Sequence, residues 1–296
     1  MRRYFAPLAL ALAAACLVLP SLAAPILVED AKLRLRSADD DFGGLSGLAM
    51  AADGASFIAI SDRGHFVRAT LSRENGRLVG AVITDIMPIN DSKGVPLTGR
   101  NTDAEGLAVM ADGSLLVSFE SNHRIMRHAT LTSPATFLPS TEAFGDLQNN
   151  SGLEALAVDA QGVVYAIPER SGRMERPFPV YRLIDGAWNG EMSIPRRGEY
   201  LVTGADIHEG YLFVLERYYK PFGGFQSQVR RFEIQGATLS NEAVLLESRL
   251  GQYDNLEGID VWRDDRGALR VSLISDDNFL FYQVTQLVEF HLEDSP

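Results

Sequence analysis

The sequence predicts an all-β protein, a β-propeller of five blades. Three observations carry this. First, one phrase recurs: an acidic or hydroxyl residue, usually a glycine, a short apolar strand, a turn, a second apolar strand and a closing acid. Second, its copies begin at Ser46, Glu105, Glu154, Thr203 and Glu257, spaced roughly 50–60 residues apart, which suits a blade of about four short strands. Third, no stretch carries the apolar period of a long amphipathic helix. Six blades is the alternative, with a degenerate blade hidden near Pro134–Asn150.

The chain opens on Arg2-Arg3, an apolar run from Leu8 to Leu19, and Ser21-Leu22-Ala23 as a small-residue cleavage site. Residues 1–23 are therefore expected to be a cleaved export signal, and 24–296 one propeller domain in the periplasm or outside the cell. Ordinary secretion is favoured; Arg2-Arg3-Tyr4-Phe5 makes twin-arginine export second. The apolar run continues past Cys16, which argues against a lipidated cysteine, and it is too short to span a membrane. Cys16 is the only cysteine, so the mature chain has no disulfide and no thiolate ligand. A net charge of −12 excludes an ordinary nucleic-acid binder and suits a protein that gathers cations. A monomer is expected.

Ile26–Arg36 alternates loosely and reads as a strand without a blade of its own. Each phrase then supplies two strands, and two more follow before the next copy except after the second phrase, where only Arg124–Leu131 reads as a strand ahead of the Pro-, Ser- and Thr-rich Pro134–Asn150. The first blade shows this best: Leu45–Ala49, Ser56–Ser61, Phe66–Ser72 and Leu78–Ile86, the last two joined at Asn75-Gly76. The last phrase yields only three strands, Ile259–Trp262, Leu269–Ile274 and Gln283–His291. Pairing the first strand with the last would complete that blade from both chain ends and remove a free edge. The run Tyr218–Phe225 lacks alternation and contains Gly223-Gly224, so it reads as a loop. Packing over the blade is the favoured role for its aromatics, and walling a ligand pocket the second.

In a propeller, equivalent positions of every blade gather around one axis. Two acidic rings result. Glu105, Glu154 and Glu257 start inner strands, with Asp103 and Asn255 two residues upstream of their glutamates. Asp62, Glu120, Glu169, Glu216 and Asp276 end the next strands. Single acids at such places can serve turns and caps, but one costly group repeated at one blade position points to function. Oxygen donors without thiolates select Ca²⁺, with Mg²⁺ second, over Zn²⁺. The expected metal ligands are Asp62, Asp103, Glu105, Glu154, Glu169, Asn255 and Glu257, and the catalytic set is Glu105, Glu154 and Glu257. Arg63, Arg170 and Arg217 directly follow ring acids and Arg100 precedes Asn101. These four are candidates to hold a small anionic substrate, while pairing with the ring acids is an equal alternative for the first three. His65, His123 and His208 lie near strand ends and read as surface groups. No Gly-x-Ser-x-Gly elbow, phosphate-binding loop, His-Glu-x-x-His or dinucleotide fingerprint is present.

Phe42-Gly43-Gly44-Leu45-Ser46-Gly47-Leu48, Ile60-Ser61-Asp62-Arg63-Gly64, Asp103-Ala104-Glu105-Gly106-Leu107, Glu169-Arg170 and Asn255-Leu256-Glu257-Gly258 together resemble the phytase-like family named for an "esterase-like activity of phytase". The likeness runs from about Gly43 to the C-terminus. It implies an exported propeller that hydrolyses phosphate or other esters. Calcium-dependent propeller phytases are a more distant likeness. They hold several Ca²⁺ ions on clustered acids, whereas this chain has few lysines near its acids, which sets it apart from a phytate enzyme. The expected function is a metal-dependent ester hydrolase, with phosphate esters foremost. A non-catalytic ligand-binding propeller and a Ca²⁺-dependent lactonase-type propeller are the alternatives.

Overall fold

The repeated phrase folds as the two innermost strands of each blade in the structure, a computed structural model that describes residues 24–145, 147 and 152–293. The expected export signal and Cys16 lie outside the described residues. After β1 (Ile26–Arg34), the first blade is β2 (Leu45–Met50), β3 (Ser56–Ser61), β4 (His65–Glu74) and β5 (Arg77–Pro88). The second is β6 (Ala104–Val109), β7 (Leu115–Phe119), β8 (Arg124–His128) and β9 (Ala135–Phe137). The third is β10 (Leu153–Val158), β11 (Val164–Pro168), β12 (Phe178–Ile184) and β13 (Ala187–Ile194). The fourth is β14 (Leu201–His208), β15 (Tyr211–Lys220), β16 (Gly224–Gln235) and β17 (Thr238–Glu247). In the fifth, β18 (Asn255–Arg263), β19 (Leu269–Asp276) and β20 (Gln286–Glu293) are completed by β1 at the outer edge.

Five blades are therefore present, and both chain ends close the ring as the unpaired first strand implied. β1 runs antiparallel to β20, from Ile26 opposite Glu293 to Arg34 opposite Gln286. The apolar faces of neighbouring blades bury each other in five clusters, one per junction. One cluster joins Phe213 and Val229 of the fourth blade to Leu256 and Phe290 of the fifth. At the seam between the fifth and first blades, Ile274 and Leu287 pack with Leu45, Phe57 and Val67.

A register shift between the first two strands recurs in every blade, at Leu45/Gly47, Ala104/Leu107, Leu153/Ala155, Val202/Gly204 and Leu256/Gly258. Such a bulge re-aims the extra residue and bends the strand. The phrase glycines serve close approach of blades rather than turns. A Cβ on Gly204 would stand 2.5 Å from the carbonyl oxygen of Glu257, and one on Gly258 would stand 3.0 Å from the carbonyl carbon of Gly47. The inner strands pack so tightly that the axis encloses only about 10 Å³, room for about one water molecule. It is a plugged core rather than a channel.

Two segments differ from expectation. The described part of Pro134–Asn150 supplies β9 and the short helix α1 (Glu142–Gly145) rather than a sixth blade. Tyr218–Phe225 is not a loop but the end of a hairpin, with Tyr219 opposite Phe225 and Lys220 opposite Gly224. The hairpin overshoots the body of the blade, so adjacent aromatics there need not alternate between a buried and a wet face.

Candidate functional site

The recurrent bulge places Ser46, Glu105, Glu154, Thr203 and Glu257 around one end of the axis. Three blades thus offer a carboxylate, and the other two a buried hydroxyl. The ends of the second strands add Asp62, Glu120, Glu169 and Asp276. Glu216, the fifth member of that expected ring, is drawn away. Arg230 donates to it through Nε at 2.6 Å and Nη2 at 2.5 Å, and both side chains are fully buried.

The ring divides into two halves. In one, carboxylate oxygens of Asp103, Glu105 and Glu120 all lie within 4.8 Å of one another, and no ion pair reaches them among the described residues; the nearby Arg124 interacts with Asp103 but spends its guanidinium on the Ser121 and Asn101 carbonyls. Ser121 Oγ donates to Asp103 Oδ2 at 3.1 Å. Burial, then the neighbouring carboxylates of Glu154 and Glu257, hold the Glu105 pKa well above the usual carboxylate range. Glu154 is pushed up likewise, by burial and then Glu169. Burial and the contact with Asp103 raise Glu120 to about 7.

In the other half a guanidinium takes the central place. Arg217 Nη1 donates to both Asn255 Oδ1 and Glu257 Oε1, and Nη2 donates to Glu169 Oε1 at 3.3 Å. Asn255 Nδ2 donates to Glu257 Oε1 at 2.8 Å and Asp276 Oδ2 at 3.2 Å. Burial still raises the Glu257 pKa against the pull of Arg217. Asp276 rises to about 8 and Asp62 to about 6, each by burial and then by Glu257.

The other candidate arginines separate. Arg170 Nε donates to Glu169 Oε2 at 3.0 Å. Arg63 lies 3.2 Å above the ring of Phe279, a cation–π contact at the lip. Arg100 is exposed on the 3₁₀ turn Gly99–Asn101 and forms no ion pair among the described residues. Arg170 and Arg217 thus pair with ring acids, as the alternative reading had it. His123 lies beside the half that holds Asp103, Glu105 and Glu120; its Nδ1 is buried without a hydrogen bond, and burial lowers its pKa. Gly152 permits that proximity, since a Cβ there would stand 2.7 Å from Glu120 Cα and 2.9 Å from His123 Nδ1.

A cleft of about 850 Å³ opens beside the arginine half, floored by Glu169, Arg217 and Asn255. Tyr219, Phe222 and Phe225 wall one side, and Leu280 and Tyr282 belong to the other. The aromatic run therefore walls a cleft, the less favoured of its two expected roles. Two site features were not singled out from the sequence. One is the meeting of Glu120 with Asp103 and Glu105, because two bulged rings converge there. The other is the second wall, whose signal was Phe279-Leu280-Phe281-Tyr282, a dense apolar run beyond the last phrase.

No curated protein matches this sequence. Among solved structures, the catalytic domain of an α-L-arabinofuranosidase from Coprinopsis cinerea matches at 9% identity, covering 92% of this chain and 98% of that one, with a TM-score of 0.53. The α-L-arabinofuranosidase of Podospora anserina matches at 9% identity, with 93% and 98% coverage and a TM-score of 0.52. At such identity these neighbours share the fold alone. Residues 40–279 match the Phytase-like family, a span that takes in all five phrases and both halves of the acid ring, and the chain belongs to that family, described as "Esterase-like activity of phytase".

Proposed function

We propose that this protein is a metal-dependent ester hydrolase acting on phosphate esters at the acid-ringed end of the axis. The observation that carries the reading is the convergence of Asp103, Glu105 and Glu120, which form no ion pair among the described residues. Oxygens on opposite sides of a cation bound at about 2.3–2.6 Å lie about 5 Å apart, so three oxygens within 4.8 Å of one another are close enough to share a calcium-sized ion. The raised pKa values of Glu105 and Glu120 are what uncompensated ligands show. All-oxygen donors favour Ca²⁺, and Mg²⁺ second because it demands a stricter octahedron. Once bound, such an ion polarises an ester oxygen and acidifies a water ligand.

The remaining roles fall to the chain. Glu154, next to Glu105 and with its pKa raised by burial and then by Glu169, is the group to exchange a proton with the attacking water or the leaving oxygen. Arg217 is fixed by Asn255 and Glu257, and it faces the cleft with a guanidinium able to meet an anionic ester group. Asn255 holds Glu257 and Asp276 in place. Arg170 and Arg63 stand further out, where they draw anions toward the mouth. Export, expected from residues 1–23, would place the enzyme in the periplasm or outside the cell.

The test is hydrolysis of phosphate and carboxylate monoesters and of lactones, with Ca²⁺ or chelator, by the wild type and Glu105→Gln. The expected result is phosphate-ester turnover that falls at least about a hundredfold in either condition. Turnover indifferent to both would refute the metal role, and preference for lactones would move the substrate class.

A further inference from the structure

We propose that the cleft beside Arg217 is a ring-binding subsite, which clamps a flat apolar ring of the substrate between two aromatic lips. It rests on the hydrolase reading only for where the reacting ester would lie. One lip is the overshooting tip of β15 and β16. There the rings of Tyr219 and Phe225 meet at a tilt of 43° with centroids 5.1 Å apart, and Phe222 projects fully exposed from the turn. The other is the loop after β19, where Phe281 and Tyr282 stack edge to face at 5.3 Å and are both exposed. The two segments belong to different blades, yet Tyr219, Phe222 and Phe225 share one cleft with Leu280 and Tyr282.

Large exposed rings are an aggregation hazard on a secreted protein unless something covers them. Phe222 also holds a left-handed backbone, φ 63°, which is costly for a residue with a Cβ. Phe279, at the root of the second lip, is left-handed too, at φ 51°. A ring pair stiffens each lip, Tyr219 with Phe225 and Phe281 with Tyr282, while Phe222 is presented by its turn. Arg217 ties one lip to the axis, its guanidinium 5.8 Å from the Phe225 ring centroid.

Charge narrows the ligand. Arg217 and Arg170 already bind Glu257 and Glu169, and Asp254 and Glu169 also face the cleft. A densely charged polyphosphate would meet these acids with little free positive charge to offset them. A single anionic ester joined to a ring fits better. Aryl groups and sugars both offer a flat apolar face, and both stack on aromatic side chains.

The test uses equilibrium binding of probes with no phosphate or carboxylate ester bond, so it stands whether or not the hydrolase reading does. Calorimetry on the full mature chain would compare naphthalene-1-sulfonate, glucose 6-sulfate and methanesulfonate. A ring-bearing probe should bind at least about tenfold more tightly than methanesulfonate, and whichever does so assigns the ring as aryl or glycosyl. Phe222→Ala and Tyr282→Ala should each weaken that probe roughly three- to tenfold and leave methanesulfonate unchanged. Phe222 is fully exposed, so its loss leaves the fold intact. Equal binding of all three probes, variants without effect, or inositol hexakisphosphate displacing the ring probe at lower concentration would overturn the proposal. So would a wild-type dimer that Phe222→Ala converts to a monomer, since the lips would then be an interface between copies.

Discussion

Replacing Arg217 by methionine tests the electrostatics of the ring most severely. The side chains of Arg217, Glu257 and Glu169 are only 18, 12 and 9% exposed, so solvent screens their contacts weakly. Methionine keeps most of the volume and removes the charge, leaving buried Glu257 without its cation and Glu169 with only the half-exposed Arg170. Breaking a buried ion pair from one side costs about 3–5 kcal/mol. For a domain of this size that is a fall in melting temperature of roughly 6–20 °C, at about 2–4 °C per kcal/mol. The pH dependence gives a second reading. A carboxyl whose pKa is raised in the folded state keeps a proton that the unfolded chain has lost. Its contribution to stability therefore falls as pH climbs from the unfolded value toward the folded one. Without Arg217 the Glu257 pKa, already raised by burial, rises further. The deficit of Arg217→Met should therefore be largest near pH 8 and shrink near pH 5. Thermal melts in chelator at both pH values measure it, with Arg217→Lys as a partial rescue lacking the two-pronged geometry. A fall below about 2 °C, or an equal fall at both pH values, would refute the view that Arg217 compensates this half of the ring.

Three further outcomes are expected. Gly204→Ala drives a Cβ to within 2.5 Å of the Glu257 carbonyl oxygen, and should cost about 1–3 kcal/mol in denaturant unfolding; a loss below about 0.5 kcal/mol would deny the close blade contact. At the opposite end of the axis, Asp260 is pushed well above the usual carboxylate range by burial and then by Asp206, which accepts the Val261 N–H at 2.8 Å. Asp260→Asn should leave the melting temperature unchanged near pH 4 and raise it near pH 8, because the raised carboxyl loses stability as pH climbs; a lower melting temperature at pH 8 would contradict this. Calcium should stabilise the wild type more near pH 8 than near pH 5, since Glu120 titrates at about 7 and must shed its proton to bind; an equal shift at both pH values would contradict it.

The sequence made blade number and closure legible because the inner-strand phrase is repeated under one constraint. Each copy must bulge toward the axis and let the next blade pass, so Gly47, Gly106, Gly204 and Gly258 recur beside the ring positions. The third blade satisfies the same geometry with Ala155, and the phrase survived that change. The candidate ring was legible for the same reason, since equivalent positions must converge. Partner choice within it was not. Glu216 and Glu169 look alike in sequence, but Arg230, on the next strand, claims the first, and Arg217 reaches the second. Nothing local distinguishes them. β9 was missed because three residues, Ala135–Phe137, at a blade's outer edge need only a single buried side chain. The aromatic hairpin was misread because it rises beyond the sheet, where period two no longer applies.

The central claim is that Asp103, Glu105 and Glu120 hold a calcium ion that belongs to the folded ring. The most direct measurement is a thermal melt in chelator, Ca²⁺ and Mg²⁺, repeated on Glu105→Gln. An ion that binds only the folded protein stabilises it by about 2.7 kcal/mol at a hundredfold excess over Kd. The wild type should then melt roughly 5–11 °C higher in Ca²⁺ than in chelator, with a smaller rise in Mg²⁺. Glu105→Gln should lose that increment while melting no lower than the wild type in chelator, because it replaces a buried carboxyl whose ionised form burial and the neighbouring acids disfavour. Identical melting of the wild type in all three solutions would contradict the claim and return these acids to a purely structural role.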